Sequence, residues 1–153
     1  MLVLVSIAAV LLILNFTIQL GLVGTCIQYL IFAAKKRPLG ASQLGDNTTL
    51  AVILLMVLAA HLLQIALWAA SFMWIGEFER FRDAFYHSAV NFASLGYGDI
   101  VMSEEWRLLG ALEAAAGVMM FGVSAALLFA ILSKLIRLQL EKHGLNLKDR
   151  PSE

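Results

Sequence analysis

Charge is scarce in this sequence. Asp, Glu, Lys and Arg make up 14% of 153 residues, against about 25% in soluble domains. Hydrophobic residues reach 61% and the mean hydropathy is +0.84. That balance excludes a soluble globular domain and a disordered tail. Net charge is lacking too, since Lys+Arg 11 matches Asp+Glu 11, so no basic field marks a nucleic-acid partner. Cys26 is the single cysteine, which excludes an intrachain disulfide and leaves the redox compartment unread. The histidines and that cysteine are scattered and offer no metal site. No nucleophile, base and orienting acid cluster together, so nothing speaks for an enzyme, and no cofactor is implied. What remains is an integral membrane protein.

Three stretches are nearly free of charge. Met1 to Ala34 has none, Leu50 to Gly76 has only His61, and Leu108 to Ser133 has only Glu113. A spanning helix needs about 20 apolar residues, and continuous runs exclude the alternating pattern of a barrel. The first run lacks a charged leader and is too long for a signal-peptide core of about 7–15 residues, so it reads as a helix. Its Asn15, Thr17, Gln19 and Gln28 predict a face that meets protein.

Orientation follows the Lys and Arg bias. Lys35, Lys36 and Arg37 crowd the first loop, and Lys134, Arg137, Lys142, Lys148 and Arg150 crowd the tail, whereas acids dominate Glu77 to Arg107. The first loop and the tail are therefore expected in the cytoplasm and the N-terminus outside. Gly40 to Asn47 reads as a turn before an N-cap at Thr48 or Thr49, and Gly144 as the stop of the last helix.

Between the second and third spans, Phe81, Ala84, Phe85, Ser88, Ala89 and Phe92 recur at helical spacing. A helix over 81–93 is too short to cross, so it must dip in and return. It runs into Ser94-Leu95-Gly96-Tyr97-Gly98-Asp99. This stretch resembles the selectivity filter of tetrameric potassium channels, whose pattern is Thr-Val-Gly-Tyr-Gly-Asp. The order of outer helix, short helix, filter and glycine-bearing inner helix resembles theirs as well, over roughly Leu50 to Arg137.

The resemblance implies an all-α membrane protein with three transmembrane helices, a re-entrant pore helix and filter between the second and third, and a homotetramer around a central pore. The units would be an N-terminal helix over 1–34, a basic cytoplasmic loop over 35–48, a pore domain over 49–137 and a short tail over 138–153. Within the pore domain, the outer helix takes 49–76, the pore helix 81–93, the filter 94–99 and the inner helix 106–137.

Potassium ions would be held by carbonyls of Ser94, Leu95, Gly96 and Tyr97, with Gly98 completing the filter. Gly96 and Gly98 permit positive φ. Tyr97 would brace the filter against the pore helix. Asp99, Glu113, His87 and Asn91 are the candidate supports, with Asn91, Tyr97 or His87 as partner for Glu113. One bacterial branch places a glutamate where Val90 stands, and its aromatic pair falls at Tyr86 and His87. Ser94 and Leu95 depart from Thr and Val, and Ala93 from a second Thr. On the inner helix, Gly117 or Gly122 is the candidate hinge, and Val118, Gly122, Ala125 and Phe129 fall on one candidate pore-lining face.

The expected function is passive, potassium-selective conduction across the plasma membrane, in a chain of prokaryotic type. A weakly selective cation channel, or a non-conducting subunit of other channel chains, are the competing readings. Partners are further copies of the chain and membrane lipids. The first helix lacks repeating arginines, and no nucleotide motif or calcium loop occurs, so neither a voltage sensor nor a soluble ligand-binding domain is expected.

Overall fold

The computed structural model describes residues 2–143. The expected stop at Gly144 and the tail residues Lys148 and Arg150 lie outside them. Four helices follow in order: α1 (Leu2–Lys36), α2 (Gln43–Trp74), α3 (Phe81–Phe92) and α4 (Arg107–Lys142). Among the described residues, α1, α2 and α4 are long and apolar enough to cross a membrane. At about 1.5 Å per residue, each outruns a hydrocarbon core of about 30 Å, so their ends reach the headgroups.

α2 begins earlier than the polar turn predicts. Ser42 is its N-cap, and the Thr48 and Thr49 hydroxyls bond back to the Leu44 and Gly45 carbonyls, as they do inside a helix. Asp46 explains the difference. Its buried carboxylate accepts from the Gly40 N–H at 3.2 Å and the Gln139 amide at 3.2 Å, and pairs with Arg37 at 3.5 Å. These ties hold residues 43–47 in the first turn, where an acid suits the helix dipole. Gly40 turns the chain at φ +81°, and a Cβ there would lie 2.8 Å from Leu138 Cβ. α4 runs on past the inner-helix bound of 137 to Lys142, with His143 as its C-cap, as a helix expected to stop by Gly144 should.

The interior is layered. Leu4, Ala8, Leu11, Ile65, Trp68, Phe72, Leu109, Ala116 and Met120 form one apolar cluster, with Phe92 and Met102. Leu22, Cys26, Ile53, Val57, Ala60, Ile131 and Leu135 form a second. Between them lies a buried polar layer of Asn15, Gln19, His61, Gln64 and Ser124. The predicted protein-facing polar stripe of α1 thus narrows to Asn15 and Gln19. Thr17 and Gln28 are exposed on the chain, and Thr17 satisfies its hydroxyl on the Ile13 carbonyl.

Candidate functional site

α3 lies between α2 and α4, and its buried face (Ala84, His87, Ser88, Phe92) makes that contact. Its C-terminus shows how the following loop is launched. The Ser94 N–H bonds the Asn91 carbonyl at 2.7 Å, and the Leu95 N–H bonds the Val90 carbonyl at 2.9 Å. Ser94 has φ +56°. This is a Schellman cap with Ser94 as its left-handed residue. A β-branched residue is a genuine outlier at such φ, which gives a physical reason for serine over threonine here.

Gly96 and Gly98 follow at φ +61° and +72°. Positive φ therefore alternates along Ser94, Gly96 and Gly98. Residues 93–99 are all exposed on the chain. Tyr97 is 66% exposed on the single chain.

Behind the loop, two side-chain bonds tie it to α3, and a third within α3 supports them. The Tyr86 hydroxyl donates to Asp99 at 2.7 Å. That bond holds the Asp99 carboxyl below its ordinary value and raises the Tyr86 phenol. His87 bonds the Ile100 carbonyl through Nδ1 at 2.9 Å and Asn91 Nδ2 through Nε2 at 2.8 Å. A carbonyl only accepts, so Nδ1 carries the proton and Nε2 accepts from the amide. Phe72 and Phe78 flank the ring. Asp99, His87 and Asn91 are thus brought together.

Glu113 is fully buried and bonds Ser88, with the expected partner Asn91 also within reach of its carboxyl. The Ser88 hydroxyl also lies 2.9 Å from the Ile65 carbonyl. One hydroxyl hydrogen cannot serve two acceptors, so both bonds form only when Glu113 donates as the carboxylic acid. Glu113 therefore ties α4 to α3 and α2 from one turn beneath Asn91. The sequence showed Glu113 as a protein-facing acid but carried no signal for Ser88.

Burial pushes the His87 imidazole below its ordinary value, against the opposing pull of Asp99 and Glu77. The folded chain thus favours the uncharged ring. The stability this gives is complete above the ordinary imidazole value of about 6.5 and is lost as pH falls from there through the lowered folded value. The thermal midpoint of the wild type should drop as the pH falls below about 6.5, while that of His87→Gln should lack this step. An identical pH profile for the two proteins would refute the assignment.

The polar layer closes a ring across three helices. The Gln19 amide donates to Ser124 at 2.9 Å, and Ser124 is 3.1 Å from His61 Nε2. His61 Nδ1 is 3.0 Å from Gln64 Oε1, and the Gln64 amide donates to Gln19 Oε1 at 3.2 Å and to the Asn15 carbonyl at 3.1 Å. The donors balance when Nδ1 of His61 carries the proton and Ser124 donates to Nε2. His61 also stacks on Phe121 at 4.7 Å and lies 5.9 Å from Phe92. α1 is thereby bonded to the middle of α4. Gln64 and Ser124 carried no sequence signal of this role.

On α4, Gly117 faces the end of α3, and a Cβ there would overlap the Phe92 carbonyl oxygen. Gly122 meets nothing within 4 Å. Val118, Gly122, Ala125 and Phe129 are all exposed on the chain, along one face.

A family model described as ion channel matches residues 50–134, more than half of the chain. The match takes in most of α2, the whole of α3 and the loop after it, and most of α4. α1 lies outside it. No curated protein and no solved structure matches the chain.

Proposed function

The chain belongs to the two-helix, pore-loop ion channel family, and on that premise we propose that it is a potassium-selective channel built from four copies. The alternating positive φ at Ser94, Gly96 and Gly98 is the observation that carries this reading. Backbone alternating in this way can aim successive carbonyls toward one side. Four such segments around an axis give stacked cages of oxygens that replace the water of a potassium ion. The carbonyls of Ser94, Leu95, Gly96 and Tyr97 are the proposed ligands, and the ion is cargo. The C-terminal, negative end of α3 adds a field favourable to cations.

The Tyr86–Asp99 and His87–Asn91–Ile100 bonds hold the filter from behind. The exposure of residues 93–99 fits a segment covered by neighbouring copies, and closed fourfold symmetry supplies them. In the assembly the Tyr97 brace comes from a neighbour. Val118, Gly122, Ala125 and Phe129 line the path below the filter, and Gly122 serves as hinge because Gly117 is committed to Phe92. The basic ends of α1 and α4 face the cytoplasm of the plasma membrane, and the N-terminus lies outside.

The native mass of the detergent-solubilised chain, expressed alone, tests the assembly. Four copies are expected. A chain that stays monomeric, or that assembles only with other channel chains, would contradict the proposal and favour the subunit reading.

A further inference from the structure

A groove of about 400 Å³ opens between the basic C-terminal end of α1 and the first turns of α2. Tyr29, Phe32, Lys36, Arg37, Gly45 and Thr48 are among its walls. We propose that this groove holds the phosphate and upper acyl chain of an anionic phospholipid. The inference needs only a membrane location and does not depend on conduction.

The groove is built to present Arg37. The guanidinium lies directly against Gly45, where any Cβ would overlap it. The buried Asp46 carboxylate fixes one of its nitrogens at 3.5 Å. A guanidinium has five N–H donors, and this contact leaves most of them for a ligand. Arg37 remains partly exposed, with 36% of its side chain accessible. Lys36 sits 4.5 Å over the Phe32 ring, a cation–π contact that aligns the ammonium at the rim.

Charge selects the occupant. Among the described residues this end of the bundle carries Lys35, Lys36, Arg37, Lys134, Arg137 and Lys142, against the acids Asp46 and Glu141. Arg37 and Arg137 are paired with those acids, so the lysines are left in excess. Basic residues at a membrane surface attract anionic headgroups by about 1 kcal/mol each.

Position selects a lipid over a free phosphate. The groove lies at the ends of two spans, where headgroups meet acyl chains, and beneath its basic rim its walls include Tyr29, Phe32 and Leu44. A soluble phosphate would use the rim alone. A zwitterionic lipid would bring a second cation to a site that already has an excess of them.

The test is native mass spectrometry of the full chain, titrated with phosphatidylglycerol and with phosphatidylcholine of the same acyl chains. The wild type should retain one phosphatidylglycerol per chain in preference to phosphatidylcholine. Lys36→Gln with Arg37→Gln should cost that preference about thirtyfold, the effect of two surface charges. Lys134→Gln with Lys142→Gln removes as much charge from the same end and should leave most of it. Thr48→Trp fills the groove without changing charge and should exclude the lipid even if the double variant fails to fold. Equal losses in both charge variants would mean diffuse attraction and overturn the site. Displacement of the lipid by millimolar glycerol 3-phosphate would also overturn the proposal, because the site would then be one for free phosphate.

Discussion

Replacing Gly117 by alanine is expected to separate α4 from the end of α3. The new Cβ would overlap the Phe92 carbonyl oxygen, with the carbonyl carbon at 2.8 Å and Cα at 3.0 Å. These are backbone atoms and cannot rotate aside. Phe92 is itself immobilised, fully buried and edge-on to Phe121 at 5.5 Å. Overpacking of this kind costs about 1–3 kcal/mol, more than the roughly 1 kcal/mol that alanine gains over glycine within a helix. The net cost of up to about 2 kcal/mol should lower the thermal midpoint by up to about 8 °C for a chain of this length. Gly122→Ala supplies the comparison, because nothing lies within 4 Å of that position in the chain. It should be neutral or slightly stabilising. A Gly117→Ala protein as stable as Gly122→Ala would mean that the helix crossing is not where the structure places it.

Gln64→Leu should loosen α1 from the other helices. Leucine keeps the volume of the side chain but removes three hydrogen bonds, to His61, Gln19 and the Asn15 carbonyl. Interhelical hydrogen bonds in membranes average about 0.6 kcal/mol and reach about 1.7. A buried group left without its partner costs about 1–3 kcal/mol. Because the four side chains form a closed ring, one substitution orphans groups on both neighbours. A loss of about 2–4 kcal/mol follows, read as a lower thermal midpoint together with faster proteolysis of the Arg37–Ser42 connection. A change below 1 kcal/mol would show that apolar packing alone seats α1.

The spans were legible because charge in hydrocarbon is costly, so the near-absence of Asp, Glu, Lys and Arg marks each of them. Glu113 stood out for the same reason, since a lone acid in a span must face protein. Its partner did not, because Ser88 is one of several hydroxyls and only the packing of α3 brings it within reach. The polar ring was half visible. Asn15 and Gln19 marked the right face of α1, yet Gln19 meets Ser124 across 105 residues of sequence, a pairing no local pattern encodes. The alternating glycines announced positive φ at positions 96 and 98. The third such residue, Ser94, was hidden because a serine does not advertise a left-handed cap. The early start of α2 was hidden for a similar reason, since Asp46 is held by Gln139 from the far end of α4.

The most direct test of a potassium-selective pore is the reversal potential of the purified protein in a planar bilayer, with potassium on one side and sodium on the other. A filter made of these carbonyls predicts reversal near the potassium limit. It also predicts loss of that selectivity in Gly96→Ala, where a Cβ is forced into φ +61°. Robust current reversing near zero in the wild type, or selectivity that survives Gly96→Ala, would contradict it.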